Sequence, residues 1–353
     1  MECGGKRSAT PLFLEISRIG EVYPKRRRAA LASACRRTPC HTLIRSKSDE
    51  LTGQPTFLLG CRKRLAQTEC VQAGYKLVKL PSGVHSVHSL AHKETFHPVI
   101  GPVAEAEALY VRQLQLRERV EKTCGEFVIW DVGLGAAANV LTALRATVDS
   151  LCTLRLLSFD NSLEPLKFAL QHASELGYII GYEEQLKSLL REHHVQFQIK
   201  NQTVNWEIHL GDFPTLLVQP PTQKFPKPHA IMFDAFSPAT NPAMWTLPLF
   251  ENLFRLLDPA RPCALPTYSR STMLRVTLLL AGFLVGVGHA TGEKDETTIA
   301  ANTIELIDEP LDRRWLSRAR RSTSAEPLHD SIYRQARLSP ENWERLQQHS
   351  QFR

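Results

Sequence analysis

"FVIWDVGLGAAANVLTALRATV", residues 127–148, decides the fold. Phe127 to Trp130 form an apolar run short enough for a strand buried on both faces. The run ends on Asp131, and two glycines follow, Gly133 and Gly135. They permit a tight turn and a close backbone approach. From Ala136 the composition is that of a helix. A strand, a glycine turn and a helix aim the first N–H groups of that helix at whatever lies beyond the turn, a place suited to an anion or a carboxylate.

The same alternation repeats outward from this unit. "TLRLLSFD" (153–160), "WEIHLGDF" (206–213), "HAIMFDAF" (229–236) and "CALPTYS" (263–269) read as strands. "LEPLKFALQHASEL", "WTLPLFENLFRLL" and "TMLRVTLLLAGF" read as helices, and 182–194 as an inserted amphipathic helix. "LVGVGHATGEKDETTIAAN" closes the series as two strands around a charged turn. Strands alternating with helices imply an α/β fold, a mostly parallel sheet with helices on both faces. The expected sheet has seven strands, the last two an antiparallel hairpin. Upstream, "YKLVKLPSGVHSVHS" (75–89) reads as a β-hairpin around a Pro-Ser-Gly turn. "GPVAEAEALYVRQLQLRERVEK" (101–122) reads as one amphipathic helix with Val103, Ala106, Leu109, Tyr110, Leu114 and Leu116 on its apolar face. The expected organisation is a basic, disordered segment at 1–74, a catalytic domain at 75–310, and a basic tail at 311–353. In that tail Ser339 and Pro340 start a short helix.

Charge follows this division. Sixteen of the 43 basic and six of the 36 acidic residues lie in 1–80, a net of +10, while the rest of the chain carries −3. A basic arm suits a polyanion such as RNA. The eight cysteines lack the paired short spacing of a zinc site, so no metal is expected. They read as reduced thiols of a cytoplasmic protein. No apolar run reaches the length of a membrane span.

Ligands of an open α/β sheet sit at the carboxyl ends of its strands. Asp131, Asp160, Asp212 and Asp234 all occupy such ends. Asp160, 25 residues after Gly135, is placed to accept hydrogen bonds from ribose hydroxyls. Asp234 opens "DAFSPATNPAMW", where Pro238 and Pro242 stiffen the loop and Phe236 and Trp245 are candidates to wall a substrate pocket. Gly133-Leu-Gly135-Ala-Ala-Ala138 matches the G-x-G-x-x-A form of a dinucleotide site. A nucleotide-dependent oxidoreductase therefore stays open at this point.

The other reading rests on resemblance. Asp131-x-Gly133-x-Gly135-x-Ala137 resembles the acidic-start glycine loop of S-adenosyl-L-methionine (SAM) methyltransferases, with alanine for the third glycine. "DVGLGAAANVL", "SFDNSLEPL", "LGDFPTLL" and "DAFSPATNPAMWTLPLFENLFRLLDP" together resemble the methyltransferase domain of the bifunctional tRNA 5-methylaminomethyl-2-thiouridine biosynthesis proteins (MnmC). "LPTYSRSTMLRVTLLLAGF" and "ETFHPVIGPVAEAEALYV" resemble the same domain, so the likeness spans about 75–310. It implies a Rossmann-like SAM methyltransferase fold and methyl transfer to the aminomethyl group of a modified wobble uridine in tRNA. It also implies roles: Gly133 and Gly135 at the methionine part of SAM, Asp160 at the ribose, Asp212 at the adenine side and Asp234 at the incoming amine, with Asp131 among the cofactor-binding residues. Phe236, Pro238 and Trp245 would form the substrate side. The family's FAD-dependent oxidase domain finds no counterpart after 310, so a stand-alone methyltransferase is expected, with a separate oxidase acting on the same tRNA. Alternatives are a methyltransferase of a small amine, an NAD(P)-dependent oxidoreductase, and an inactive SAM- or RNA-binding module.

Overall fold

A computed structural model describes residues 71–72, 74–218, 225–292 and 295–353. The segment expected to be disordered, 1–74, therefore lies almost wholly outside the described residues.

A small antiparallel sheet comes first, with β1 (Val71–Gln72), β2 (Tyr75–Lys79), β3 (His85–Ser89) and β4 (Glu94–Thr95) in sequential order. The 75–89 hairpin forms its middle, as the sequence predicts. The helix expected over 101–122 is broken. It runs as α1 (Pro102–Ala106), widens into a π-helical stretch (Glu107–Arg112), and restarts as α2 (Leu116–Glu121). Gln115, at φ +50°, makes the break. Ala106, Leu109, Tyr110, Leu114 and Leu116 are buried, but Val103 is exposed. The π-turn and the break rotate the face that follows, which a constant 3.6-residue period does not anticipate.

The main α/β unit continues with β5 (Glu126–Val132), α3 (Ala138–Thr147), β6 (Thr153–Asp160), α4 (Glu164–Gln171), α5 (Ala173–Leu176) and α6 (Glu183–Glu192). Then come β7 (His194–Ile199), β8 (Gln202–Leu210), α7 (Phe213–Val218), β9 (Ala230–Phe233) and α8 (Leu247–Leu256). It ends with β10 (Ala264–Thr267), α9 (Thr272–Leu280), β11 (Leu284–Gly288) and β12 (Thr297–Ala301). The sheet has eight strands, in the order β11-β12-β10-β9-β5-β6-β8-β7, rather than the seven expected. The additional strand is β7, antiparallel to β8 at the edge. Its alternation of Val195, Phe197 and Ile199 with polar residues is the mark of a half-covered strand. The central pairs β10/β9, β9/β5, β5/β6 and β6/β8 are parallel, and β11/β12 is the antiparallel hairpin the sequence predicts.

Two apolar layers sandwich this sheet. One holds Leu109, Val140, Leu144, Leu166 and Trp206, the other Trp130, Phe159, Phe233, Trp245 and Phe250. The residues after 310, expected as a tail, belong to the second layer. α10 (Arg313–Arg321) buries Trp315, Leu316 and Ala319, and α11 (Pro340–Gln347) buries Leu346. Ser339 caps α11, its hydroxyl accepting from the Asn342 N–H at 3.2 Å. The Gln351 side chain bonds the backbone of Val285 and Leu311, fixing the chain end to the sheet. Among the described residues no helix is long and apolar enough to cross a membrane.

Candidate active site

β5 is the switch point of the sheet: β6 and β8 follow on one side, β9 and β10 on the other. The loops after β5 and β9 therefore diverge and leave a crevice at their carboxyl ends. A cavity of about 540 Å³ fills that crevice, within the range of a small-molecule site. The small sheet and the 92–98 segment supply its other wall through His92, Glu94, Phe96 and His97.

The glycine loop is shaped by contact. Gly133 has φ +94°, and a Cβ there would lie 2.6 Å from the Asp234 carbonyl oxygen, so only glycine lets the β5 and β9 loops close on each other. Gly135, at φ +50°, donates its N–H to Asp160 Oδ2 at 2.9 Å. Ala137, where the family loop has a glycine, takes φ +61° at the start of α3. A left-handed alanine costs about 1 kcal/mol, and its complete burial against the core holds it there.

The four aspartates part company in three dimensions. Asp160 lines the cavity and accepts from Gly135 and from the Ser162 N–H at 3.2 Å. Burial raises its pKa against those bonds. The Asn161 backbone also bonds it, and a carboxylate with about four acceptor sites keeps capacity for a ligand hydroxyl. Asp212 lines the far end, its Oδ2 capping α7 through the Thr215 N–H and hydroxyl at 3.1 and 2.5 Å. Asp234 lines the near end, its Oδ2 accepting from Asn139 Nδ2 at 2.8 Å. Asp131, expected at the cofactor, is 1% exposed and lies outside the cavity lining. Its Oδ2 accepts from the Ser158 hydroxyl at 2.7 Å, which also accepts from the Trp206 indole at 3.0 Å. Burial pushes its pKa up to about 7, the Ser158 bond opposing and the Asp234 and Asp160 charges adding.

The 234–246 loop also differs from expectation. Phe236 lines the cavity and stacks on His92, ring centroids 4.1 Å apart. Trp245 is fully buried and outside the lining. Its indole N–H donates to the Phe236 carbonyl at 2.8 Å, and its ring packs on Phe233 and Tyr268. It braces the loop from beneath rather than walling the pocket, because the 3₁₀ turn Pro242–Trp245 faces it into the second core layer. Pro238 is also absent from the lining.

Sequence reasoning misses Glu94, His97, Glu105, Asn139 and Tyr268, all of which line the acceptor end. Glu94 reaches from β4 to accept from the Ser237 N–H at 3.2 Å and from the Ser237 and Thr240 hydroxyls at 2.5 Å, tying the small sheet to the loop. Its burial is outweighed by these bonds and by His92, and its pKa is lowered. The signal available was "ETFHPVIGPVAEAEALYV", which carries three of the five but gives none of them a role by itself.

The lining holds Glu94, Glu105, Asp160, Asp212 and Asp234 and, among the described residues, no Lys or Arg. This set suits a ligand with cationic centres and ribose hydroxyls. SAM, with a sulfonium and two ribose hydroxyls, is a ligand of that kind. Among the described residues no group of three side chains is placed to hold a metal ion.

Comparisons with known proteins agree. Residues 181–303 match a family model described as S-adenosyl-L-methionine-dependent methyltransferase. The chain is 26% identical over 204 residues to the tRNA 5-methylaminomethyl-2-thiouridine biosynthesis bifunctional protein MnmC of Pseudoalteromonas atlantica, covering 55% of this chain and 29% of that protein. It is 29% identical over 230 residues to the MnmC protein of Methylibium petroleiphilum, covering 63% and 34%. The chain thus spans about a third of the length of the curated relatives it matches. Among solved structures, MNMC2 from Aquifex aeolicus superposes with a TM-score of 0.57 at 22% identity, covering 78% of this chain and 83% of that one, which establishes the common fold. On these matches the chain carries a region similar to S-adenosyl-L-methionine-dependent methyltransferases, the methyltransferase part of the MnmC proteins among them.

Proposed function

We propose that the domain methylates a primary amine, and that the acceptor is the aminomethyl group of a modified wobble uridine in tRNA. The observation that carries the amine is the acidic lining of the cavity, to which Asp234 and Glu94 contribute and, among the described residues, no Lys or Arg does. SAM supplies an electrophilic methyl group there. Asp234, fixed by Asn139, presents its other oxygen to the amine and stabilises positive charge growing on nitrogen. Holding amine and methyl in line accounts for much of the acceleration. Phe236, stacked on His92, offers an aromatic face for a base.

The names of the matched relatives support tRNA as the carrier. So does α10, whose Arg313, Arg314, Arg318, Arg320 and Arg321 face outward and suit a phosphate backbone. In this reading a separate FAD-dependent oxidase acts on the same tRNA to deliver the primary amine. A methyltransferase of a small amine is the second reading, favoured by a cavity lining that holds, among the described residues, no Lys or Arg to meet a phosphate.

The test supplies methyl-labelled SAM with tRNA bearing 5-aminomethyl-2-thiouridine, and separately with spermidine and benzylamine. Label in the wobble nucleoside, at a rate that falls steeply with salt, supports the tRNA reading. Label in the small amines alone, unaffected by added tRNA, replaces it with the second.

A further inference from the structure

The acceptor end raises a difficulty that Asp234 does not solve. An alkylammonium has a pKa near 10 (the lysine value is about 10.4), and a carboxylate near 4 is a poor base for it. A carboxylate beside an amine also favours the charged, non-nucleophilic form. Something else must take the proton.

Among the described residues two imidazoles line the cavity; His92 stacks on Phe236 and bonds the Ser89 hydroxyl, whereas His97 lies beside Asp234. His97 lines the cavity, with its side chain 9% exposed, and lies between two carboxylates. Its Nε2 is 3.6 Å from Asp234 Oδ2, and its Nδ1 is 4.0 Å from Glu105 Oε2. Its backbone has φ +48°, a left-handed conformation that costs a non-glycine residue about 1 kcal/mol or more. The neighbouring Phe96 N–H, bonded to the Val87 carbonyl at 2.8 Å, anchors the segment to β3. The ring is thus held at one place against local backbone preference.

We propose that His97 is the proton acceptor of the methyl-transfer reaction, resting on the amine reading above. The substrate ammonium binds against Asp234 and passes one proton to the His97 imidazole, directly or along the Asp234 carboxylate. The freed nitrogen lone pair then forms the N–C bond as the S–CH₃ bond breaks and its electron pair stays on sulfur. The products are a secondary ammonium, S-adenosylhomocysteine and an imidazolium. Asp234 on one side and Glu105 on the other stabilise that imidazolium, which returns its proton to solvent through the open cavity. Catalytic hydrogen bonds commonly tighten once substrate is bound.

The groups facing His97 have the right charges for this. Glu105 comes from α1, Asp234 from the β9 end, and Glu94 from β4. Asp131 lies deeper, near the end of β5, where burial raises its pKa to about 7. The two nearby phenols do not compete for the proton. Tyr110 donates its hydroxyl to the Phe233 carbonyl and Tyr268 to the Ala235 carbonyl, both at 3.1 Å. Burial first, then the surrounding carboxylates, hold both protonated.

The test compares wild type, His97→Asn and His97→Ala between pH 6.5 and 10, with SAM saturating and the aminomethyl-bearing tRNA as acceptor. Calorimetric SAM affinity serves as the control for folding. The expected result is a turnover about 100-fold lower at pH 7 for both variants, a gap that narrows as pH approaches 10 and the amine frees itself, and recovery of His97→Ala by added imidazole. SAM affinity stays unchanged. A loss equal at every pH, without imidazole rescue, makes His97 merely structural and overturns the proposal, as does full activity of His97→Asn. If wild type methylates no amine at all, the amine reading fails instead, so the two failures are distinguishable.

Discussion

Asp131 and Asp234 end neighbouring strands, and depth alone separates their work. Asp234 reaches the cavity, whereas Asp131 is sealed beneath the glycine loop with Oδ1 lacking a partner among the described residues. Burial raises the Asp131 pKa from 3.8 to about 7, and this has a definite sign. Between those values the unfolded chain has lost the proton and the folded one keeps it, so stability falls as pH rises. Three pKa units correspond to roughly 4 kcal/mol. Asp131→Asn removes the cost, so its unfolding midpoint should exceed the wild-type value at pH 8 and converge with it near pH 4, as denaturant titrations at the two pH values will read. A wild-type advantage at pH 8 would mean that the ionised carboxylate is stabilised by contacts that oppose burial. All four strand-end carboxylates are legible in the sequence, because a polar residue closing an apolar run is conspicuous. Which of them faces ligand is not, since one residue of register turns a side chain to the opposite face of the sheet. His97 and Glu105 are harder still: they are brought to Asp234 only by the path of the chain before the glycine loop.

At the scale of elements, periodicity identifies the buried strands and most of the helices, and its failures have physical causes. The π-turn at 107–112 and the left-handed Gln115 break a helix whose apolar residues otherwise keep time. β7 escapes notice because its half-covered edge carries little apolar weight. The largest departure is the C-terminal segment. Its Arg-rich composition reads as a solvated tail, yet α10 buries Trp315, Leu316 and Ala319 under an exposed basic face, and α11 buries Leu346. Arg320 stacks over Trp343, its Cζ 4.6 Å from the ring centroid, tying the two helices together. Glu326 accepts from the Ser339 N–H and from Asn342 Nδ2, both at 2.8 Å, and fixes the start of α11. Phe352 is 3% exposed. Phe352→Ala should therefore cost about 3 kcal/mol in urea unfolding while leaving the SAM site intact. A change below about 0.5 kcal/mol, the level of an ordinary surface substitution, would restore the tail reading.

The whole molecule shows why the sheet topology matters more than any single motif. The loops after β5, β6, β8 and β9 converge because their strands lie side by side and run in parallel, although 103 residues separate Asp131 from Asp234. The small sheet then closes the acceptor end, with Glu94 bonded to Ser237 and Thr240 across the crevice. The proposed division of labour follows this layout: Asp160 and Asp212 on the nucleoside side, Asp234 with its neighbours on the side of the acceptor. The measurement that tests this division most directly pairs calorimetric SAM titration with turnover for wild type, Asp160→Ala and Asp234→Asn. Asp160→Ala should weaken SAM binding by about tenfold or more, the loss expected when a charged hydrogen-bonding group is removed. Asp234→Asn should keep wild-type SAM affinity and lose about 100-fold in turnover. Loss of SAM binding in Asp234→Asn, with Asp160→Ala binding normally, would contradict the account.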